Sequence, residues 1–311
     1  MVNPAPTVLD ILASMTPATT IRHWNIGSTK VTQIVELVLP EGLPGLLPDA
    51  TPEAVLAIPW LRPDLVTARG DLTLSLHAFV IETPTKRILV DTCIGDDKDL
   101  PIAPMWSRLS TGFLGRLEEA GFPPDAIDVV VCTHLHLDHV GWNTRLVDGA
   151  WRPTFPGARY LFGRIEHEHL RAVLDSRDAE PAWRETNEAV FRQSVEPILA
   201  AGLADLVELD HRITDEVSLR PATGHTPGHV AVVVRSAGDA AVITGDAIHH
   251  PCQLVYPDWC ANADADPAAS RATRWAMLRD AAAHRHLVLG THWPGPGGGY
   301  VVADGAAFRL E

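Results

Sequence analysis

Three histidines and a carboxylate fall within six residues at His134-Leu135-His136-Leu137-Asp138-His139. Neutral imidazole nitrogens and hard carboxylate oxygens together suit a divalent cation such as zinc. Surface histidines capping a helix are the ordinary alternative, but four ligand-type residues in one short frame speak against it. Further such residues stand where apolar runs begin or end: His229 before Val230, Asp246 after Thr244, and His292 after Leu289. Ligand groups at successive strand ends are how an α/β scaffold assembles one site from distant segments.

The elements that must position these residues are legible as patterns. Val129 to Val131 is a β-branched run opening into the His/Asp frame, which predicts a short buried strand. Lys30–Val38 alternates as a strand does. Leu72–Glu82 and Arg87–Val90 flank Thr83-Pro84-Thr85-Lys86 as a hairpin. Asp91, at the end of the second of these, is placed either to orient a ligating histidine or to cap a turn. Strands are also expected at Ala158–Phe162, Leu203–Leu209, Val230–Val234, Ala240–Thr244 and Leu287–Leu289. Helices are expected over Trp106–Ala120, Ile165–Asp175, Trp183–Leu199 and Ala268–His284. The Pro- and Leu-rich stretch Leu39–Asp71 reads either as a lid or as a surface loop. Residues 1–25, with a short helical candidate at Val8–Met15, read as an N-terminal extension. Residues 26–311 read as one catalytic domain.

Composition narrows the partners. A formal net charge of −14 repels phosphate backbones and anionic lipid, which argues against nucleic acid and membrane surfaces. The 46% hydrophobic and 21% charged fractions are those of an ordinary globular chain, and no apolar run reaches the ~20 residues of a membrane span. Met1–Met15 lacks a basic n-region and a long apolar h-region, and Cys93, Cys132, Cys252 and Cys260 form no paired framework. Both features predict a cytoplasmic protein with free thiols, acting on a small molecule. The extension and apolar loops hint at a homodimer.

Taken together, His134-Leu135-His136-Leu137-Asp138-His139, Thr226-Pro227-Gly228-His229, Gly245-Asp246 and His292 resemble the metallo-β-lactamase-fold hydrolases. The nearest likeness is to the branch of lactonases and methyl-parathion-hydrolase-like enzymes, through Asp138-His139-Val140-Gly141-Trp142-Asn143, Gly245-Asp246-Ala247-Ile248-His249-His250 and His292-Trp293-Pro294-Gly295. The resemblance implies an αβ/βα sandwich of two mixed β-sheets flanked by helices. It implies two divalent ions, in the first instance Zn2+. His134, His136 and His229 would hold one, Asp138, His139 and His292 the other, and Asp246 would bridge them. His225 and His250 would be structural. The implied chemistry is attack by a bridging hydroxide on a lactone or other carboxylic ester, with Asp138 or His249 returning the proton. His249 stands where quorum-signal lactonases carry a substrate-contacting tyrosine, so it either donates to the substrate or packs behind the site. Trp142 and Trp293, next to ligand segments, are expected to shape the substrate pocket. An organophosphate triester or an aryl halide is the alternative electrophile. A metal-binding regulatory protein without catalysis is the alternative of another class.

Overall fold

The computed structural model describes residues 21–176, 178 and 180–311. The helical candidate Val8–Met15 lies outside these residues. Strand β1 (Arg22–Ile26) pairs with β2 (Thr29–Leu39), so residues 22–25, expected to be part of an extension, belong to the first sheet. β3 (Leu74–Glu82) and β4 (Arg87–Val90) form the expected hairpin. β5 (Val129–Val131), β8 (Arg159–Gly163) and β9 (Ala204–Val207) then add in parallel, completing a seven-stranded mixed sheet. β6 (Thr144–Val147) and β7 (Ala150–Pro153) make a separate hairpin. The second sheet has six strands: β10 (Val217–Pro221), β11 (Val230–Ser236), β12 (Asp239–Ile243), β13 (Leu287–Leu289), β14 (Gly298–Asp304) and β15 (Ala307–Leu310).

Period-two alternation welds the two sheets face to face. Val230, Val232 and Val234 join Phe79, Ile81, Val90 and Val131 in one inter-sheet core. The intervening Ala231 and Val233 point the other way, onto Met277, Leu278 and Ala281 of the long helix Pro267–His284. The outer face of the first sheet, with Ala78, Val80 and Val130, is covered by Phe113 and Leu117, Leu170, and Val190 to Ile198. Helix, sheet, sheet, helix is the αβ/βα sandwich expected from the sequence.

Two helices differ from their sequence pattern for identifiable reasons. Over Trp106–Ala120 only Phe113–Glu119 is α-helical, because Arg108 and Gly112 adopt positive φ (55° and 71°) and break the run. Over Trp183–Leu199 the chain passes through a π-turn at Phe191–Val195 between α-helices Pro181–Val190 and Glu196–Ala200. Pro197 has no N–H, and the carbonyl of Gln193 accepts instead from the Thr144 hydroxyl and from Lys98 Nζ at 3.4 Å. The Leu39–Asp71 stretch, expected to be a lid or a surface loop, is packed rather than loose. Val55, Leu61, Leu65 and Val66 pack a small core of their own with Cys252 and Ala261, while Leu43 and Leu46 reach the cavity described below.

Candidate metal centre

Both sheets contribute ends to one edge of the sandwich. β5 delivers the loop Thr133–His139, and the β10–β11 turn carries His225. β12 ends at Asp246 and β13 at the loop holding His292. The chain holds these loops closely. Gly245 sits at φ +53°, where any Cβ would meet His229 Nε2 at 2.4 Å, so the turn that presents Asp246 requires glycine. His292 is clamped to β3: Ser75 N donates to the His292 carbonyl at 3.0 Å, and His77 Nε2 pairs with the Gly290 carbonyl at 3.0 Å.

The imidazoles are oriented through their Nδ1 atoms, which fixes where their Nε2 lone pairs point. His139 Nδ1 pairs with Asp91 Oδ2 at 2.9 Å. The Thr133 hydroxyl donates to the same carboxylate oxygen at 2.9 Å, leaving its own oxygen to receive His134 Nδ1–H at 3.2 Å. His225 Nδ1 pairs with Asp264 Oδ1 at 2.9 Å, and His292 Nδ1 with the Ser75 carbonyl at 3.3 Å. Each pairing leaves Nε2 directed into the same space. His136 contributes the opposite nitrogen, its Nδ1 lying 3.0 Å from His225 Nε2.

Asp246 divides that space in two. Its Oδ2 lies 3.5 Å from His225 Nε2, 3.9 Å from His134 Nε2 and 3.2 Å from His249 Nε2. Its Oδ1 lies 3.3 Å from His139 Nε2 and 3.1 Å from His292 Nε2. Asp138 closes the second half, 3.8 Å from His139 and 3.6 Å from His292. Four buried atoms here have no hydrogen-bond partner among the described residues: His134 Nε2, Asp246 Oδ1, and both nitrogens of His249. Stranding buried polar atoms is costly, and cations in the two halves would satisfy His134 Nε2 and Asp246 Oδ1. The donor atoms form overlapping triplets: His134, His136 and His225 at one end, Asp138, His139 and His292 at the other, with Asp246 joining His134 to His139 and His225 to His249.

Electrostatics agree with cation binding. Burial holds His134 and His136 well below the ordinary imidazole range, so their nitrogens stay neutral. Burial opposes the charge on Asp246, yet His292, His139 and His249 together hold its carboxyl well below the carboxylate range. Burial also works against His139, but Asp246, Asp91 and Asp138 raise it well above its usual value. The protons on that side are the ones a cation displaces.

Four expectations from the sequence are corrected here. His229 does not join the cluster: its Nδ1 donates to the Ala222 carbonyl at 2.9 Å and its Nε2 accepts the Asp246 amide at 2.8 Å, so it has no lone pair to offer. His225, expected to be structural, takes its place. Standing in the turn rather than at the first position before a strand, it is free of the register that aims His229 at backbone. Trp142 does not line the pocket. It is buried, stacks on Phe113 with centroids 5.9 Å apart, and donates Nε1–H to Glu36 Oε1 at 2.6 Å. Trp293 is likewise buried, donating to the Ile248 carbonyl at 3.2 Å.

Several buried acids that position the site carried no signal in the sequence. Asp264 orients His225. Glu166, from the first turn of helix Arg164–Asp175, accepts from Leu135 N (3.1 Å), Thr226 Oγ1 (2.6 Å) and Gly228 N (3.1 Å), tying two ligand loops together. Glu36 accepts from Ile94 N, Gly95 N, Thr111 Oγ1 and Trp142 Nε1. Burial nevertheless pushes its carboxyl from 4.5 up to about 7. The folded protein therefore binds a proton there that the unfolded chain has released, and stability is expected to fall as pH rises from 4.5 to about 7. Glu36→Gln should flatten that part of the profile by about 3 kcal/mol. Urea unfolding of both proteins at pH 5 and pH 8 checks this, and equal pH dependence would refute it.

A cavity of about 130 Å³ opens over the cluster. Its floor is His136, Asp138, His225, Asp246, His249 and His292, and its walls include Leu43, Leu46, Leu74, Leu76, Trp106 and Trp183. Among the described residues, no lysine or arginine lines it.

Comparison with known proteins agrees with this geometry. The "Probable metallo-hydrolase Rv2300c" of Mycobacterium tuberculosis is 28% identical over 190 residues, a match spanning 58% of this chain and only 58% of that relative. The hydrolase AbOPH of the beta lactamase superfamily shares the fold at TM-score 0.77 and 22% identity, covering 95% of this chain and 98% of its own. AidC, described as a dizinc quorum-quenching lactonase and solved with the product N-hexanoyl-L-homoserine, superposes at TM-score 0.76 and 21% identity over 94% and 96% of the two chains. Residues 74–292 match the family model of the metallo-beta-lactamase superfamily, and the chain belongs to that superfamily.

Proposed function

We propose that the protein is a dinuclear metal-dependent hydrolase acting on a lactone or other uncharged carboxylic ester. The observation that carries this reading is Asp246, whose two oxygens face two separate groups of buried, lone-pair-bearing donors. His134, His136 and His225 would hold one divalent cation, Asp138, His139 and His292 the other, with Asp246 shared. Two cations so held, zinc being well suited to the His/Asp donors, supply a nucleophilic hydroxide near neutral pH and polarise the scissile bond. The chain's own residues do the rest. The leucine walls exclude water and accept an apolar tail, and the absence of lysine or arginine among the described lining residues disfavours substrates carrying a formal negative charge. Asp138, which borders the cavity, is placed to move a proton to the departing alkoxide. His249, which lines the cavity with its Nε2 3.2 Å from Asp246 Oδ2 and its ring parallel to that of His292 at 6.1 Å, is placed to donate to the substrate's carbonyl oxygen. AidC, as a lactonase of the same fold, supports the ester side of this reading. A neutral phosphotriester satisfies the same uncharged walls and is the second reading.

A panel of γ-lactones, aryl esters and phosphotriesters, assayed on the zinc-loaded protein with metal content measured in parallel, tests the proposal. Lactone or ester turnover with about two metals per chain is expected. Turnover of phosphotriesters alone would move the assignment to the second reading. Metal-replete protein inert on every member would overturn the hydrolase reading.

A further inference from the structure

We infer that Trp183 is a partition that sets how long an apolar tail the site accepts, an inference that rests on the hydrolase reading above. The cavity over the metal-facing residues is not isolated. A larger and more open one, about 530 Å³, lies alongside, lined by Ile102, Val173 and Ala265 and by the polar His169, Thr226, Asn262 and Asp264. The two share His136, His225, Ala263 and Trp183. Of these only Trp183 is large and apolar, so its indole is the wall between a small inner chamber and a roomier outer one.

The setting of Trp183 fits a partition better than a core residue. It stands in the first turn of helix Pro181–Val190, its N–H capped by Glu180 Oε2 at 2.8 Å. The ring is half-buried and packs edge-on against His136, centroids 5.3 Å apart at 80°. It belongs to none of the apolar cores, whereas Trp106 across the inner chamber is part of the main one. Trp106 is therefore a fixed wall, and Trp183 is a wall that can be changed without unpacking the domain. The outer chamber, with Ile102 and Val173 among its lining, offers apolar surface to any chain that passes the indole.

The inner chamber thus takes a short acyl or alkyl group beside the scissile bond, and chain length beyond it is read at Trp183. Each methylene that gains an apolar wall tightens binding about three- to fourfold. In the wild-type protein that gain should stop where the tail meets the indole.

The test uses n-alkyl hydroxamates from four to twelve carbons. These bind divalent metals whether or not the protein hydrolyses an ester. Their dissociation constants are measured by calorimetry on the zinc-loaded protein, beside kcat/KM for the matching aryl esters. For the wild type we expect affinity to climb and then level. Trp183→Ala should leave the shortest hydroxamate within about twofold and bind the longest about tenfold more tightly than wild type does, as the climb continues for two or more methylenes. Ala263→Leu, which thickens the same wall, should move the break to shorter chains. This second variant decides the matter if Trp183→Ala loses metal. A break at the same chain length in the wild type and in whichever variants retain metal overturns the inference. If no ester is hydrolysed but the hydroxamate break still moves, the hydrolase reading fails and the partition stands.

Discussion

Asp246→Asn is expected to lower hydrolysis by about 10³-fold or more while leaving the protein folded. The substitution keeps the volume of the side chain, and the Asp246 amide still donates to His229 Nε2 because that bond is made by backbone. What it removes is the one negative charge standing between five imidazoles, those of His134, His225, His249, His139 and His292. Without it the raised affinity of His139 and His292 for protons falls, and so does any cation's hold on both halves of the site. Metal analysis should show well under two equivalents, with circular dichroism unchanged. A variant that binds two metals and turns over like the wild type would show that Asp246 is not shared between them.

The second large effect separates two histidines four residues apart. His225→Ala should release one metal per chain and cost about 10²-fold or more in turnover, since it deletes a donor whose Nε2 faces His136 Nδ1 and Asp246 Oδ2 and whose Nδ1 is held by Asp264. His229→Leu should do the reverse. It strands the Asp246 amide and the Ala222 carbonyl, both buried, at a cost of about 2–4 kcal/mol of stability. The protein that remains folded should retain its zinc-binding donors. Metal content and urea midpoints measured on both variants check this. Loss of metal in His229→Leu with full occupancy in His225→Ala would restore the assignment expected from sequence.

That pair also shows where reading a sequence stops. In Gly224-His225-Thr226-Pro227-Gly228-His229 both histidines are of the right type and at the mouth of the same strand. Which of them can bind a cation depends on whether a lone pair is left over. That depends on partners at Asp264, Ala222 and Asp246, and on no property of the motif itself. The same holds for Trp142 and Trp293. Their adjacency to ligand segments is real, but an indole N–H takes the nearest buried acceptor, and those acceptors, Glu36 and the Ile248 carbonyl, lie inside the core. Trp183, which does line the cavity, lies far from every motif in sequence.

The amino-acid sequence by itself determined most of the strands, because period-two valine runs are local properties, and its resemblance to the metallo-β-lactamase-fold hydrolases implied how they are layered. It also determined the donor types of His134, His136, Asp138, His139, Asp246 and His292, because their spacing and their place at strand ends are local properties. Tertiary structure alone decided that Asp246 faces both halves of the site, that His225 rather than His229 turns its free nitrogen inward, and that Glu166 and Asp264 hold the loops in place. Hydrogen bonds between residues tens of positions apart set those orientations, and no local pattern records them.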